Sequence, residues 1–536
     1  MTEANADEDR SARLLPVLAA ILVAVLGWWG SQPYAVGVFH DDGVYAILAK
    51  SIATGQGYRF LHLPGSPLAT HYPPGYPLLL AALWRIAPAF PANVSLFLFA
   101  NALLLGVTAY GVEQFAERVL GWPRVAAVIA ALVATLSTPL LMLSGLVLSE
   151  TLFVALLFPL LIASERFVRR GDDDWTAALI GIGAGVLALV RTHGLALSVA
   201  LVLVLMTRRR WRAVVFSLAG LAVTVGPWEI WLSVHRQAAD GILRGSYGPY
   251  GAWLAAGMRG HVLNFVSHTM FVNARETGAT LADHFAIADT TWTRLITSAL
   301  TVGAVVVGAW RLARRAPVFV AFAVVYTLVL LAWPFAPWRF VFAAWPVVVL
   351  CIGGAIECPA DAATRRTVSA RALRLAAALP IVLLVAGAVR EEGRAYATHS
   401  WTRPMIEAMT QIAPLVGWVR ARTAPDDVVA ADGEQLIYLF ANRRAVPIAP
   451  FTAAEYLHPR TAADNAASIR QLLDEYPVKY LLTVSPALRA SADLVATMPG
   501  GGARAEVPTL VRVALLNDGG VYRVERRAET PMESQR

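Results

Sequence analysis

Charge and cysteine are what this chain has least of. Only 15% of its 536 residues are Asp, Glu, Lys or Arg, against 57% hydrophobic, and the mean hydropathy is +0.55. Soluble domains do not reach that balance and polytopic membrane proteins do. The two cysteines, Cys351 and Cys358, stand at the end of one apolar run. A helical rise of about 1.5 Å per residue keeps their Cα atoms too far apart for a disulfide, so they carry no redox information. Lysine is nearly missing as well. The net charge of +8 is carried by arginines gathered in short clusters between apolar runs, which excludes a basic nucleic-acid face and reads as membrane topology. Charge is also scarce inside the apolar runs. That argues against a transporter, whose polar groups would lie near mid-membrane on interrupted helices.

Apolar runs of roughly 17 to 25 residues can cross a bilayer as helices. The sequence places about eleven, near 14–32, 94–116, 125–144, 151–168, 175–190, 193–207, 213–233, 293–310, 317–333, 339–357 and 372–389. The first has arginines before its apolar core but ends in Trp28, Trp29 and Gly30 without a small-residue cleavage site. It reads as a retained span with a cytoplasmic N-terminus. Five arginine groups then fall on the cytoplasmic side: Arg118 with Arg124; Arg166, Arg169 and Arg170; "RRRWR" at 208–212; Arg311, Arg314 and Arg315; and Arg365, Arg366, Arg371 and Arg374. The stretch 76–90 is left as a short helix on the outer surface, with Leu78, Leu79, Leu80 and Leu83 toward lipid. Residues 1–390 form the membrane part, with exterior loops 33–93 and 234–292. From about 391 the runs turn mixed, as in "DDVVAADGEQLIYLF" and "VKYLLTV", separated by Pro and Gly. Residues 391–536 therefore read as a soluble α/β domain on the outer side.

Several ionisable residues of the outer side have no topological reason to be there. Asp41 and Asp42 follow the first span in "FHDDGVYAILAK". One aspartate suffices to cap the helix that follows, which leaves the other free as a base or metal ligand. His71 and Tyr72 open the Pro-rich element "HYPPGYPLLLA". Glu150 sits at a tight turn in "LSGLVLSETLF", where Ser149 can cap the next helix. An ionisable group there is costly unless it faces water, protein or an ion. Arg191 and His193 interrupt "LALVRTHGLAL". On the outer side Arg191 calls for an anion, as does Arg339 in "PFAPWRFVFAAWP", whose guanidinium suits phosphate. Lys50 and Arg59 are further candidates for a phosphate, against the simpler reading of solvated charges.

With these residues in place, the chain resembles bacterial membrane glycosyltransferases of the GT-C fold, the group of protein O-mannosyltransferases and aminoarabinose transferases that use polyprenyl-phosphate sugars. The resemblance rests on "DDGVYAILAKSIATGQGY", "HYPPGYPLLLA", "LSETLF", "PWRFVFAAWP" and "APDDVVAADGEQLIYLFANRRAVPI", and covers nearly the whole chain. It implies an inverting transfer of a sugar from a polyprenyl-phosphate donor to a glycan, lipid or protein acceptor, outside the bacterial inner membrane. Asp41 or Asp42 would be the base, with Asp41 placed first. Glu150 matches a second acidic position, a candidate, with Asp42, to hold a divalent metal ion, or to meet the acceptor. Arg339 stands where the family has an Arg-Tyr pair near the donor phosphate, but its neighbour here is Phe340. The partners implied are the lipid donor, the acceptor and membrane lipids, with no nucleic acid. An alternative is an O-antigen ligase or polymerase with a lipid diphosphate donor. Arg236, Arg244, Arg259, His261, His268 and Arg275 in the late exterior loop would carry it, and the Asp pair after the first span argues against it.

Overall fold

A computed structural model describes residues 3–171, 173–239, 241–356, 368–497, 508–517 and 519–526. Helix α1, Glu3–Trp29, leads to α2, Asp41–Ala53, and α3, Gly75–Ile86, in the segment that follows it. The bundle continues with α4, Val94–Phe115; α5, Arg124–Thr135; α6, Thr138–Ser144; α7, Glu150–Arg170; α8, Asp174–Val190; α9, Leu195–Thr207; and α10, Trp211–Val234. The segment after α10 holds α11, Arg244–Tyr247, α12, Tyr250–Gly257, and α13, Val262–Phe285. After it come α14, Thr291–Leu312; α15, Pro317–Ala332; α16, Trp338–Ala343; α17, Trp345–Ile356; and α18, Val368–Thr398.

A helix stands at each of the eleven expected positions. By length and apolar composition, four of them can cross a membrane whole: Val94–Leu120, Glu150–Arg170, Trp211–Val234 and Thr291–Leu312. A fifth is the α5–α6 pair, bent by 58°. Pro139 in the first turn of α6 has no N–H to continue the helix, and Glu392 of α18 accepts the N–H and hydroxyl of Thr138 instead. The others are shorter apolar helices, among them Leu14–Trp29, Asp174–Val190 and Pro317–Ala332. The chain is a multi-pass membrane protein, with large apolar side chains such as Leu18, Val107, Leu179, Val223 and Val306 facing outward. Glycines let neighbours touch through their backbones. A Cβ on Gly181 would lie 2.0 Å from Ser217 O, and one on Gly220 2.1 Å from Ala178 O, so α8 and α10 pack without intervening side chains.

The arginine groups of the connecting turns meet at one end of the bundle. Arg169 donates to the carbonyls of Val119 and Arg315, Arg315 to Leu120 O, and Arg210 to Phe167 O. Residues Arg365 and Arg366 and the side chains of Arg371 and Arg374 lie outside the described residues, as does Cys358; Cys351 is buried in α17. One expectation needs correcting: α3 is no simple surface helix. Leu80 is buried with Tyr76, Ala81 and Trp84, and only Leu78 of the four leucines is exposed. Its apolar residues recur on both faces, and one of those faces packs on α2 and α8.

Past α18 comes α19, Arg403–Arg422, then a five-stranded sheet of β1, Val428–Ala431; β2, Arg444–Pro447; β3, Val478–Thr483; β4, Thr509–Leu516; and β5, Gly519–Glu525. The order is β2-β1-β3-β5-β4. β1 runs parallel to β2 and β3, and β5 antiparallel to β3 and β4. Short α20, Glu434–Leu436, links β1 to β2. α21, Ala462–Glu475, starts with a Thr461–Asp464 capping box, and α22, Pro486–Thr497, precedes β4.

Candidate active site

The two aspartates at the start of α2 take opposite directions. Successive helical residues are about 100° apart, so one faces the loop behind it and the other faces away. Asp42 is fully buried and accepts the backbone N–H groups of Gly37, Phe39 and Gly43 at 2.9, 3.1 and 2.8 Å. Burial pushes its carboxyl above the ordinary range even though these N–H groups and Tyr34 draw it down. Asp42 thus builds the loop. Asp41 points outward, its side chain 26% exposed, accepting from Tyr72 OH at 2.7 Å and pairing with Arg339 Nη1 at 2.5 Å. Burial alone would raise its carboxyl, but Arg339, His40 and Tyr72 together hold it down at about 2.

The turn before Asp41 is strained. His40 has φ 62° and ψ −68°, and the Asp41 N–H closes onto Phe39 O at 2.7 Å, a γ-turn of the rare positive-φ kind. For a residue with a Cβ such a conformation costs about 1–3 kcal/mol.

Arg339 joins the first carboxylate to a second. Glu150, the first residue of α7, is fully buried and pairs with Arg339 Nε and, at 2.8 Å, with Arg191 Nη1. Arg191 lies in the extended break between α8 and α9. It also donates to Ser149 Oγ at 3.0 Å, which lies 3.1 Å from Tyr45 OH. Four ionised groups from four helix ends therefore form one chain, Asp41–Arg339–Glu150–Arg191. Two positive and two negative charges nearly cancel, which makes their burial tolerable.

Asp41, Arg339 and Arg191 of this chain line a cleft of about 340 Å³. His193 stacks on Phe340 with ring centroids 4.7 Å apart, and Arg191 lies over the same ring at 5.5 Å. Phe340 thus serves as a flat support for a cation and an imidazole. His71 Nδ1 is 2.6 Å from Gly248 O and its ring lies 3.8 Å from that of Tyr250. Burial pushes His71 down to about 4 despite the Gly248 bond and Asp41, so it works as a neutral group.

Of the ten residues expected near a substrate, Asp41, His71, Tyr72, Arg191, His193 and Arg339 line the cleft, and Glu150 reaches it through the two arginines. Asp42 faces the loop behind it. Lys50 lies elsewhere, its Nζ 4.7 Å above the Tyr438 ring, and so does Arg59, which donates to Ser66 O across a tight turn. None of the six basic residues named in the segment 234–292 lines the cleft; that segment contributes Ser246 and Tyr250. His40, Tyr45, Trp333, Phe335 and Phe451 also line it. Nothing in their local sequence marks them, because an aromatic beside an apolar run is an ordinary interfacial residue.

The donor set suits an anion better than a metal. Among the described residues, Arg339 Nη2, Arg191 Nε, His193 Nε2 and Glu150 Oε2 are buried without a hydrogen-bond partner. Two guanidiniums with an N–H to give are the groups that bind phosphate. No three His, Cys, Asp or Glu side chains converge among the described residues. Asp42 is taken up by backbone N–H groups and Glu150 faces two guanidiniums, so these carboxylates do not fit a divalent ion.

No family profile and no curated protein matches this chain in sequence. Among solved structures it is similar to ArnT from Cupriavidus metallidurans bound to undecaprenyl phosphate, with a TM-score of 0.56 at 13% identity over 95% of this chain and 97% of that one. The chain has the GT-C fold. Two other structures align less closely. The oligosaccharyltransferase AglB from Archaeoglobus fulgidus, in complex with an inhibitory peptide and a dolichol-phosphate, gives 0.48 at 14% identity, over 90% of this chain and 71% of that one. The arabinofuranosyltransferase AftD from mycobacteria gives 0.42 at 15%, over 95% and 41%. On this GT-C fold the first turns of α2, the loop between α6 and α7, the break after α8 and the start of α16 all line the cleft.

Proposed function

We propose that this chain is an inverting glycosyltransferase that moves a sugar from a polyprenyl-phosphate carrier to an acceptor hydroxyl outside the bacterial inner membrane. The acceptor is a glycan, lipid or protein of the envelope. The observation that carries the reading is the Asp41–Arg339 pair, a carboxylate and a phosphate-binding cation side by side in a cleft. The fold it shares with ArnT, solved bound to undecaprenyl phosphate, supports it.

In the proposed reaction the donor phosphate takes the unpaired N–H groups of Arg339 and Arg191. By drawing Arg339 toward itself it loosens the pair with Asp41, whose basicity then rises from its resting value. Asp41 accepts the proton of the acceptor hydroxyl, and the oxygen attacks the anomeric carbon from the face opposite the phosphate. The bond from carbon to phosphate oxygen breaks and its electron pair stays on the phosphate, stabilised by the guanidiniums. The products are an inverted glycoside and polyprenyl phosphate. Tyr72, bonded to Asp41, holds the carboxylate in line, and Glu150 holds both arginines.

The test is donor turnover, read as undecaprenyl phosphate released from undecaprenyl-phosphate mannose or glucose in the presence of a cell-envelope extract. Asp41→Asn is expected to slow it by about 10²–10⁴-fold with undecaprenyl phosphate still bound. Full turnover by that variant removes Asp41 as the base.

A further inference from the structure

The loop that carries Asp41 is gripped by the C-terminal domain. Gln435 of α20 is fully buried, and its side-chain amide lies 2.5 Å from His40 Nδ1, 3.0 Å from Tyr247 OH and 3.1 Å from Glu434 Oε1. Tyr247 OH donates to Glu434 Oε1 at 2.5 Å and stands 2.9 Å from His62 Nε2. Burial, with His40 nearby, pushes His62 down to about 3, so it joins the network uncharged. The His62 carbonyl accepts the N–H of Ala445, on β2 of the sheet.

The backbones are equally close. A Cβ on Gly43 would meet Gln435 Cβ at 2.6 Å, and one on Gly37, at φ +116°, would meet Leu436 at 2.9 Å. Glycine is the only residue that fits at either place. The grip therefore closes on both sides of the γ-turn.

Gln435 does not line the cleft and touches none of the ionised groups there. What it holds is His40, a residue that has a Cβ yet sits at positive φ, one position before Asp41. Released, such a residue returns to negative φ, and the side chain that follows it is re-aimed. Misplacement of a reacting group by about 1 Å is enough to lose about 10²-fold in rate.

We propose that Gln435, backed by Glu434 and Tyr247, is a positioning residue for the transfer reaction: it pins His40 in its positive-φ turn and so keeps Asp41 aimed into the cleft. The inference rests on Asp41 as the base, proposed above. It makes the C-terminal domain part of the catalyst although none of its ionisable groups takes part in the chemistry.

The experiment uses the full chain in detergent with Gln435→Met, which keeps the volume and removes the amide. Hydrogen exchange across 37–47 and steady-state turnover of the undecaprenyl-phosphate sugars are read together. In Gln435→Met, exchange of the Gly37, Phe39 and Gly43 amides is expected to speed up. Its kcat falls about 10–100-fold, and KM for the donor stays within about twofold. With His40→Gly, where positive φ is unstrained, adding Gln435→Met costs no more than about a further threefold, because the two positions act through one turn. Unchanged exchange, or losses that simply multiply in the double variant, overturns the proposal. The two readings fail differently. Full turnover by Asp41→Asn together with faster exchange in Gln435→Met defeats the base and keeps the grip. An inactive Asp41→Asn beside an unaffected Gln435→Met does the reverse.

Discussion

Helix α7 buries one carboxylate at each end, and the two ends are built differently. Glu165, near its arginine-rich end, accepts the N–H of Phe319 at 2.8 Å and so caps α15, where Pro317 opens the helix. Glu150, at the other end, accepts no backbone N–H among the described residues and faces two guanidiniums, each with an N–H left over. Both are fully buried, so depth does not separate a carboxylate that caps a helix from one that holds cations. The partner does: a backbone N–H is used up by the bond, whereas an arginine fork can hold a carboxylate and a phosphate together.

The largest break in that contrast is expected from Glu150→Ala. It leaves two buried guanidiniums without their shared partner, a loss of about 3–5 kcal/mol for a broken buried pair. Thermal unfolding in detergent should show a large drop, and turnover should vanish. Arg339→Ala comes next, weakening undecaprenyl phosphate binding about 10–100-fold, the worth of one or two charged hydrogen bonds. Unchanged binding in a titration takes Arg339 out of the phosphate site.

A pH effect follows from Asp41. Its carboxyl is held at about 2 in the folded chain against an ordinary value of 3.8. The stability this brings is therefore complete above about pH 4 and fades as pH falls toward 2, by about 2 kcal/mol in all. The thermal midpoint should drop on that acid limb, and Asp41→Asn should flatten the drop; a limb that persists unaltered denies Asp41 its ion pair. Glu165→Gln should do least, about 1 kcal/mol of stability from the weakened cap, with turnover kept within about twofold. Loss of turnover there would erase the difference between the two ends of α7.

Much of this was legible in the chain. Apolar runs marked every bundle helix, because lipid and a close-packed interior both select the same side chains. Arg191, Glu150 and Arg339 were marked by having no topological reason to lie on the outer side, and they meet in one cleft. The division of labour between Asp41 and Asp42 was not legible, since it depends on a turn at His40 that no side chain advertises. Lys50 and Arg59 carried the right charge but not the right direction, and charge in a sequence has none. Leu80 looked like a lipid-facing residue because α3 is apolar on both faces. Tyr250 and Phe451 are brought to the cleft by segments far apart in the chain, and nothing local distinguishes them from other loop aromatics.

The hydrogen bond between His40 and Gln435 spans 395 positions of the chain. A ribosome makes the loop early and its restraint late, so the turn at His40 waits for its partner while the bundle helices between them are made. On the proposal above, Asp41 is aimed only once the segment that carries Gln435 has folded onto the loop. On the same proposal, a chain truncated after α18 would keep its bundle helices but lack the residue that pins His40.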